Sequence, residues 1–547
     1  MTSLVKVLTA SLALVNVCAA DAPPASPLRD PLVASAHIGL VDTSSGKVRG
    51  FVRHGTYTYR GIPYAHAARF MPPEPPARWE GVRTALTYGF VCPQADIVRI
   101  DDQGEFLTPH RYGIANEECQ NLNIWTPSLS ADNHRPVMVW IHGGGFTNGS
   151  SIEQLAYDGE NLSRKGGVVV VSVNHRLNVT GFLDLSAYGP QYRQSGNAGI
   201  MDLVAALQWI RVNIANFGGD PMNVTIFGQS GGGGKVTTLM ATPAAHGLFQ
   251  KAIVESGSLR GMGMTLNDSK TSRRVAELTL RNLGLQPSQV DQLQSMPYRQ
   301  LNEAAGKALK MVGEEKGSMG LFGDGIPWAP TVDGEYIPAQ PMDTAAPAQS
   351  RDIPLLVGTT LNEFPLVNRD PAARGASDWN LSQVRDYLRG KYGDRAAAVE
   401  AAFRRSYPEM RPADWLYVDR LFRPGAIAAA NLKSDQRGAP VFAYLFAWQS
   451  PIMDGVSRAT HCMEIPFVFN NIALADQVTG GGSAAEAMAD KVSRAWIHFA
   501  RSGDPTVKGI PLWPAYTRDN GATMVLDNSS HVVHHHDDEL MSLIGTH

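Results

Sequence analysis

The stretch Val224-Thr-Ile-Phe-Gly-Gln-Ser-Gly-Gly-Gly-Gly-Lys235 decides the fold of this chain. Its apolar start, residues 224–227, is typical of a buried strand, and sequence with helical character follows the glycines. Between the two, Gly228-Gln-Ser-Gly-Gly232 fits the pattern G-x-S-x-G, in which glycines let strand and helix approach closely around a strained serine. A turn that contains serine by chance is the alternative, but four consecutive glycines at a helix start cost on the order of 1 kcal/mol each relative to alanine. We therefore predict that Ser230 is a nucleophile.

Strand and helix patterns alternate on both sides of this turn. Helical spacing predicts a helix over residues 197–217, and residues 256–325 and 370–437 are predicted to be helical excursions from a sheet. Strands are predicted at residues 135–141, 168–173, 224–227, 251–254, 353–357 and 441–448, the last of these being the last convincing one along the chain. Because alternating strands and helices build a sheet covered on both faces, we predict an α/β protein with a large, mixed, mostly parallel sheet. No internal repeat or composition shift divides the chain, so residues 21–547 are predicted to form a single domain.

The composition is that of a large globular protein. Of the 547 residues, 44% are hydrophobic and 18% are charged, which allows a large core and excludes a disordered, solvating chain. Lys and Arg number 48, Asp and Glu number 51, and the net charge is −3. Without a basic face or a run of like charge, no nucleic acid partner is expected. Four cysteines exclude a disulfide scaffold and leave room for one or two bridges.

The first twenty residues have the features of a secretory signal peptide. Lys6 precedes an apolar run, and the small residues Ala19 and Ala20 precede Asp21. We predict cleavage near Ala20, which makes the mature protein secreted or periplasmic; a buried first helix is the alternative. No other stretch approaches the roughly 18 uninterrupted apolar residues that span a bilayer, so no membrane span is expected.

A nucleophilic serine also needs donors for the oxygen that becomes negative in the tetrahedral intermediate. His142-Gly-Gly-Gly-Phe146 follows the predicted strand 135–141 and offers peptide N–H groups that no side chain obstructs. The N–H groups of Gly144 and Gly145, together with that of Gly231, are predicted to form an oxyanion hole with three donors. A glycine turn without a ligand is the alternative, and the presence of both elements in one chain argues against it.

These motifs, in this order, resemble those of type-B carboxylesterases, the cholinesterase-like branch of the α/β-hydrolases. The resemblance covers residues 46–516. The further matching stretches are Tyr59-Arg-Gly-Ile-Pro-Tyr-Ala65, Arg69-Phe70 with Trp79, Glu117-Glu-Cys-Gln-Asn-Leu-Asn123, Asn174-His-Arg-Leu177, Phe217-Gly-Gly-Asp-Pro221, and Gly503-Asp-Pro505 with Trp513-Pro514. The resemblance implies the α/β-hydrolase fold, with helical excursions over the active site. It also implies hydrolysis of a small-molecule carboxylic ester through an acyl-enzyme, without a cofactor or metal.

The family's order of a serine, an acid and then a histidine selects the two remaining catalytic residues. Glu363 ends Gly358-Thr-Thr-Leu-Asn-Glu363, just past the predicted strand 353–357, where a catalytic acid belongs. His461 begins His461-Cys-Met-Glu-Ile-Pro-Phe467, which is similar to the family's segment H-x-x-E-[IL]. The resemblance implies that His461 is the base and Glu363 its orienting acid, with Asp324 and Asp333 as weaker candidates for the acid.

The resemblance also implies structural roles for other residues. Cys92 and Cys119 match the family's first disulfide, and Arg69 and Glu117 match a structural ion pair. Cys462 is left as a free, buried thiol. We expect His142 to support the glycine loop rather than to react. Three consecutive histidines, residues 534–536, cannot converge on one tetrahedral metal site, so this run is expected to be a solvated end.

Two departures from the family limit what the resemblance implies about the substrate. The residue before the nucleophile is usually Glu in the family and is Gln229 here. The segment from Cys92 to Cys119 contains no Trp, although cholinesterases place one there to hold a quaternary ammonium by cation–π attraction. Selectivity for choline esters is therefore not expected.

Two other functions compatible with the fold were weighed. A non-catalytic, cholinesterase-like adhesion module would lack the serine, yet Ser230, Glu363, His461 and the glycines are all present. Acyl transfer or amide cleavage could use the same triad, and product analysis separates these reactions from ester hydrolysis. The sequence does not identify the natural ester, the residues of the acyl and alcohol pockets, or the oligomeric state.

Overall fold

A central sheet organises the protein. The computed structural model describes residues 31–96, 100–259, 265–318, 325–365, 373 and 375–545. The strands are β1 (Leu40–Thr43), β2 (Gly46–Arg49), β3 (Phe51–Arg53), β4 (Thr56–Pro63), β5 (Val82–Thr84), β6 (Asn121–Thr126), β7 (Arg135–Ile141), β8 (Val169–Val173), β9 (Gly219–Gln229), β10 (Lys251–Glu255), β11 (Asn267–Asp268), β12 (Thr331–Val332), β13 (Leu355–Thr360), β14 (Val441–Phe446), β15 (Ala522–Leu526) and β16 (His531–His534). The helices are α1 (Asp102–Leu107), α2 (Glu160–Gly166), α3 (Asn178–Phe182), α4 (Ala198–Asn213), α5 (Gly231–Ala241), α6 (Ser269–Asn282), α7 (Tyr298–Lys316), α8 (Leu381–Tyr392), α9 (Ala396–Ser406), α10 (Arg423–Ser434), α11 (Ile465–Val468), α12 (Asp476–Thr479), α13 (Gly482–Ser502) and α14 (Asp538–Ile544).

Within the described residues, eleven strands form one mixed sheet in the spatial order β16-β15-β14-β13-β10-β9-β7-β8-β6-β4-β3. The strands from β15 to β8 are parallel to one another. Antiparallel strands complete both edges, β16 at one and β6, β4 and β3 at the other. The predicted α/β class and the mostly parallel sheet are confirmed.

The two faces of the sheet are covered by different helices. Along β7, Val137, Val139 and Ile141 belong to one core, whereas Met138 and Trp140 belong to the other. The first core includes the buried faces of α4, α5, α6 and α7, and the second includes that of α13. Each strand therefore buries alternate side chains on opposite sides, which explains its almost continuous apolar sequence.

The sequence-based bounds fail mainly at the end of the chain. The sequence shows no convincing strand after residues 441–448, but in the structure β15 pairs in parallel with β14 and β16 pairs with β15. β15 is five residues long, and β16 is a polar edge strand that begins and ends with histidine, so neither carries a strong period. β9 begins at Gly219 rather than at residue 224. The two excursions contain α6 and α7, and then α8, α9 and α10, as expected.

A disulfide closes the segment in which α1 lies. Cys92 and Cys119 are bonded, with their Cα atoms 5.0 Å apart. Beside it, Arg69 Nε donates to Glu117 Oε2 at 2.8 Å. The predicted signal peptide, residues 1–20, lies outside the described residues. In the described part of the chain, one segment, Pro190–Phe217, is long and apolar enough to cross a membrane by composition alone, and 67% of its most apolar window is buried inside the protein.

Candidate active site

Ser230 stands on a strained turn between β9 and α5. Its φ of 57° and ψ of −126° lie in a region that residues with a side chain rarely adopt. The turn is held by the Ser230 N–H, which donates to the Glu255 carbonyl on β10 at 2.8 Å. A Cβ atom at Gly228 would lie 2.6 Å from the Ile141 carbonyl oxygen, and one at Gly232 would lie 2.1 Å from it. Glycine is thus required on both sides of the serine for the strand and helix to pack.

The glycine loop after β7 lies against the start of α5. Gly144 and Gly145 have φ values of 78° and 62°, and a Cβ atom at Gly231 would lie 2.4 Å from the Gly145 nitrogen. Among the described residues, no protein group accepts the N–H of Gly144 or of Gly145. The first N–H groups of a helix, here that of Gly231, also lack an intrahelical acceptor. The structure therefore brings the three predicted donors together and leaves them available.

His461 and Glu363 are paired. The His461 Nδ1–H donates to Glu363 Oε2, and the His461 backbone N–H donates to the Glu363 carbonyl at 2.7 Å. Glu363 Oε1 accepts the N–H of Thr360, at the end of β13, at 3.0 Å. This pairing fixes the tautomer of His461 and leaves Nε2 unprotonated, as a proton acceptor must be.

Gln229 connects the Ser230 turn to the His461 ring. Its Nε2 lies 3.3 Å from both ring nitrogens of His461, and its Oε1 accepts the thiol of Cys462 at 3.1 Å. Cys462 is the free cysteine of the described residues. Within the same part of the chain, Ser230 Oγ makes no hydrogen bond to His461, and the Gln229 amide occupies the space beside the ring. In hydrolases without substrate, catalytic hydrogen bonds are often long and tighten on binding.

Burial sets the protonation of the pair. The His461 ring packs on Phe364 and Phe422, with centroid distances of 4.8 and 5.0 Å. Burial lowers the pKa of His461 to about 4, and attraction to the buried carboxyl of Asp419 acts in the opposite direction. Burial raises the pKa of Glu363, while hydrogen bonds to its carboxylate lower it. His461 is therefore neutral, and able to accept a proton, at neutral pH.

A second pair of carboxyl groups lies behind the nucleophile. Glu255 is the partner of Gln229 in the register of β10 on β9, and its Oε1 accepts the indole N–H of Trp496 at 2.6 Å. Glu464 Oε1 accepts the Ser256 hydroxyl at 3.4 Å. Burial, followed by repulsion from Glu464, raises the pKa of Glu255 well above its usual range. Burial and repulsion from Glu363 raise the pKa of Glu464 to about 8.

Two other residues considered from sequence, Asp333 and His142, form no hydrogen bond with the His461–Glu363 pair. Asp333 accepts the backbone N–H groups of Glu335 and Ile337 at a separate surface cleft, and Asp324 lies outside the described residues. The His142 Nδ1–H donates to the Gly143 carbonyl at 3.1 Å, so this ring supports its own loop, as expected. No cluster of three or more metal-ligating side chains occurs in the described ranges.

Some residues of the site carry no recognisable sequence signal. Asp419 accepts three backbone N–H groups at the start of α10 and faces the His461–Glu363 pair. Lys235 is fully buried next to the glycine loop. The identity of Glu255 and its place beside Gln229 depend on strand register, which the sequence does not specify.

A narrow cavity opens beside His461. His461 and Cys462 form one wall, and Leu107 of α1, Leu474 and Val478 supply apolar surface.

The fold and the geometry around Ser230 are those of a serine hydrolase with the α/β-hydrolase fold. A carboxylesterase family profile matches residues 38–542. The para-nitrobenzyl esterase of Bacillus subtilis (strain 168) is 36% identical over 496 residues, which cover 89% of this chain and 95% of that protein. The chain belongs to the carboxylesterase family, and its activity is the hydrolysis of carboxylic esters.

Solved esterases have the same fold over nearly their whole length. An esterase of Clostridium hathewayi, described as able to hydrolyse aliphatic aromatic polyesters, is 40% identical with a TM-score of 0.84, and the match covers 94% of this chain and 99% of that one. A carboxylesterase of Geobacillus stearothermophilus is 33% identical with a TM-score of 0.74, and the match covers 92% of this chain and 100% of that one. The predicted family and activity are confirmed.

Proposed function

We propose that Ser230, His461 and Glu363 form the catalytic triad of this esterase. His461 Nε2 takes the proton of Ser230 Oγ as the oxygen attacks the ester carbonyl carbon, and returns it to the oxygen of the leaving alcohol. A water molecule, deprotonated by the same nitrogen, then attacks the acyl-enzyme; Nε2 returns that proton to Ser230 Oγ as its bond to the acyl carbon breaks, and the carboxylic acid leaves. Glu363 keeps the proton on Nδ1 and stabilises the imidazolium that forms at each step.

The proposed oxyanion hole consists of the N–H groups of Gly144, Gly145 and Gly231. Fixed donors of this kind stabilise the negative oxygen of the tetrahedral intermediate without reorganising. The φ values of Gly144 and Gly145 favour glycine, so a side chain at either position would disturb the loop. The observation that carries the proposal is the His461–Glu363 hydrogen bond beside a strained serine.

The triad is tested by single and double substitutions. We expect Ser230→Ala, His461→Ala and Glu363→Gln each to lower kcat by orders of magnitude, with unchanged circular dichroism. Because the three residues act as a unit, double variants should be little worse than the worst single variant. A fluorophosphonate should label the wild type but not Ser230→Ala. Asp333→Asn is the matched control and should retain full activity; near-full activity of His461→Ala would refute the assignment of the base.

Hydrolysis is expected to dominate over acyl transfer. Water and a competing alcohol can both attack the acyl-enzyme, so the two reactions differ only in the acceptor. Mass spectrometry of the products formed in the presence of added methanol or ethanol measures the ratio. An excess of the new ester over the free acid at millimolar alcohol would identify an acyltransferase instead.

A second candidate function is the hydrolysis of ester bonds in an apolar polymer. Phe106 of α1, Met453 and Leu474 are 51%, 40% and 40% exposed. Leu474 lines the cavity beside His461, as does Leu107 next to Phe106, and Gln103 of α1 contacts Met453. An exposed apolar rim at the entrance of a site favours contact with an apolar surface. The solved esterase of Clostridium hathewayi is described as hydrolysing such polymers.

The rim proposal is tested with two substrates. Phe106→Ser and Met453→Ser should reduce the release of soluble products from a film of an aliphatic–aromatic polyester several-fold. The same variants should hydrolyse a small soluble butyrate ester at the wild-type rate, because the reacting atoms are unchanged. Leu512→Ser, which removes an exposed leucine (75%) in the loop between α13 and β15, is the control. Equal loss on both substrates would contradict a docking role.

We also propose that residues 1–20 are a cleaved signal peptide and that the mature protein is secreted or periplasmic. The Cys92–Cys119 disulfide supports this, since such bonds persist in oxidising compartments. Amino-terminal sequencing of the exported protein should begin at Asp21. Recovery of the intact chain from the cytosol, with its amino terminus unprocessed, would contradict export.

A further inference from the structure

Lys235 is a fully buried lysine in the helix that begins beside Ser230. Its Nζ donates to the carbonyl of His142 at 2.9 Å and to that of Gly143 at 3.3 Å. Among the described residues, no carboxylate forms an ion pair with it. A buried ammonium without an ion pair is costly, and lysine is almost never fully buried unless it is paired. Its burial against two consecutive carbonyls of the glycine loop therefore calls for a specific role.

Both carbonyl groups belong to the peptide units that lead into the proposed oxyanion hole. The carbonyl of Gly143 and the N–H of Gly144 are parts of one planar peptide group, in which they point in opposite directions. Because the Gly143 carbonyl points towards Lys235, the Gly144 N–H points away from Lys235. This peptide group lies next to the nucleophile, since a Cβ atom at Gly143 would be 3.4 Å from the Ser230 Cβ.

A hydrogen bond to the carbonyl oxygen also makes the N–H of the same peptide group a stronger hydrogen-bond donor. Hydrogen bonds in chains polarise one another, and an ionised donor polarises more than a neutral one. The Lys235 ammonium is thus placed to make the Gly144 N–H a better donor. The positive charge of Lys235 lies on the opposite side of the glycine loop from the oxyanion, and it attracts that negative oxygen across the loop.

We propose that Lys235 is a positioning residue of the oxyanion hole, which it orients and polarises through the carbonyl groups of His142 and Gly143. This role rests on the proposed function of Ser230 and of the glycine loop. Lys235 does not touch the substrate; it acts through the peptide groups that do.

The charged and titratable groups that face Lys235 predict a pH dependence. Burial lowers the pKa of Lys235 to about 7, and attraction to Glu153, which follows the glycine loop, acts in the opposite direction. His142, at the end of β7, and His175, which follows β8, are buried and stacked on each other at 4.9 Å. Burial and the nearby ammonium hold the pKa of both rings well below its usual range, so both are neutral. As the pH rises through about 7, Lys235 loses its proton and the polarisation weakens.

Substitutions of Lys235 test the proposal on soluble esters. Lys235→Met removes the donor and the charge, whereas Lys235→Gln keeps a donor without a charge. Removing one direct oxyanion donor costs about 100-fold or more in kcat, so an indirect contributor should cost roughly tenfold. We expect Lys235→Met to lower kcat about tenfold with KM within twofold, and Lys235→Gln to fall between it and the wild type. The inhibition constant of a trifluoromethyl ketone, which forms an oxyanion on Ser230, should rise in parallel with the loss of kcat.

A second buried lysine provides the matched control. Lys433 of α10 is also fully buried and donates to the Arg351 carbonyl at 3.1 Å, and it makes no contact with the glycine loop. Burial lowers its pKa to about 8. Lys433→Met should keep the wild-type kcat and ketone affinity, whatever it does to the unfolding midpoint.

Several outcomes would overturn the role of Lys235. Unchanged kcat in Lys235→Met, or an equal loss in Lys433→Met, would show that the buried lysine is only structural. If Lys235→Met does not fold, the wild-type pH profile decides, because kcat should fall with a pKa of about 7 in the wild type but not in Lys235→Gln. An alkaline limb of the same pKa in Lys235→Gln would refute the proposal. Esterase activity in Ser230→Ala would instead refute the proposed triad, independently of Lys235.

Discussion

At the scale of single residues, the placement of buried carboxyl groups controls the charge around the base. Glu255 and Glu464 lie behind the nucleophile, and burial together with repulsion between carboxylates raises the pKa of both. Besides Glu363, the polar group that contacts the His461 ring is the neutral amide of Gln229. The buried carboxyl of Asp419 adds an attraction that favours the imidazolium.

The acid limb of the pH–activity profile should lie at an unusually low pH. Burial lowers the pKa of His461 to about 4, and only the neutral imidazole can accept the proton of Ser230. We expect kcat/KM to stay high down to about pH 5 and to fall as the pH falls through about 4. A pH series at constant ionic strength measures the limb, and circular dichroism at each pH excludes unfolding as its cause. A limb near the usual histidine pKa of about 6.5 would contradict this account.

Gln229→Glu should change both the base and the substrate preference. A carboxylate beside the ring favours the imidazolium, so the pKa of His461 should rise by about 1–3 units and the acid limb should move to higher pH. The same charge should attract a cationic ester. In the wild type, which has no Trp in the segment from Cys92 to Cys119, a choline ester should be hydrolysed no faster than its neutral carbon isostere. In Gln229→Glu the ratio of the two kcat/KM values should rise several-fold.

One result would contradict the predicted preference for neutral over cationic esters. A wild-type kcat/KM for the choline ester far above that of the isostere would place a cation site on other residues. Gln154→Glu is the control: Gln154 lines the same cavity as His461, but none of its side-chain hydrogen bonds involves the ring. A shift of the acid limb that is equally large in this control would assign the effect to general charge in the cavity.

The sequence predicts the residues that lie in motifs, but not those whose role depends on packing. Ser230 lies in a motif whose glycines the close packing around the serine requires, and the resemblance to the family selects Glu363 and His461, which the structure brings into contact. Lys235 and Asp419 act through burial and through contacts with groups far away in the chain. No local pattern encodes such contacts, so the sequence does not reveal them.

At the scale of elements, the approach of α5 to β7 holds the nucleophile turn and the glycine loop together. The Gly232 Cα faces the Ile141 carbonyl at the end of β7, and Gly231 faces Gly145. The loop and the serine thus owe their relative position to backbone contacts that exclude side chains.

Gly232→Ala should damage both stability and activity. The added Cβ would lie 2.1 Å from the Ile141 carbonyl oxygen, a backbone atom that cannot move without shifting β7 or α5. Overpacking of this kind costs about 1–3 kcal/mol or more in the free energy of unfolding, and the shift should also lower kcat. Gly306→Ala, in the interior of α7 with nothing within 4 Å of the new Cβ, is the control. It should raise the free energy of unfolding by roughly 0.5–1 kcal/mol. Wild-type stability and kcat in Gly232→Ala would contradict the close packing.

The strands of the parallel interior are predictable because both of their faces are buried. β7 has the predicted bounds, and β8 and β10 differ by one residue. The edge strand β16 has four residues, an exposed histidine at each end and two half-buried valines between them, so its sequence does not differ from that of a loop. Pairing with β15 makes it a strand, and pairing is a long-range property.

At the scale of the whole molecule, the topology brings distant parts of the chain together at the carboxyl ends of the parallel strands. The glycine loop follows β7, Ser230 follows β9, Glu363 follows β13, and His461 lies in the segment after β14. Parallel strands present their carboxyl ends at the same edge, which is why their loops can meet in one site. The order of strands in space is not a property of any one segment, so the sequence predicts the class of fold and the site but not this arrangement in detail.

The disulfide should stabilise the whole molecule without taking part in the chemistry. It closes a segment of 27 residues, and a bridge of this span contributes roughly 3–4 kcal/mol, mainly by restricting the unfolded chain. α1 lies inside the segment, and the Arg69–Glu117 ion pair holds the segment next to Cys119. We therefore expect a reductant to lower the unfolding midpoint by several degrees while kcat at 25 °C is retained. The double variant Cys92→Ala/Cys119→Ala should match the reduced wild type and should not respond to reductant. Free thiols at both positions in an unreduced digest would remove this stabilisation, and with it the structural support for export.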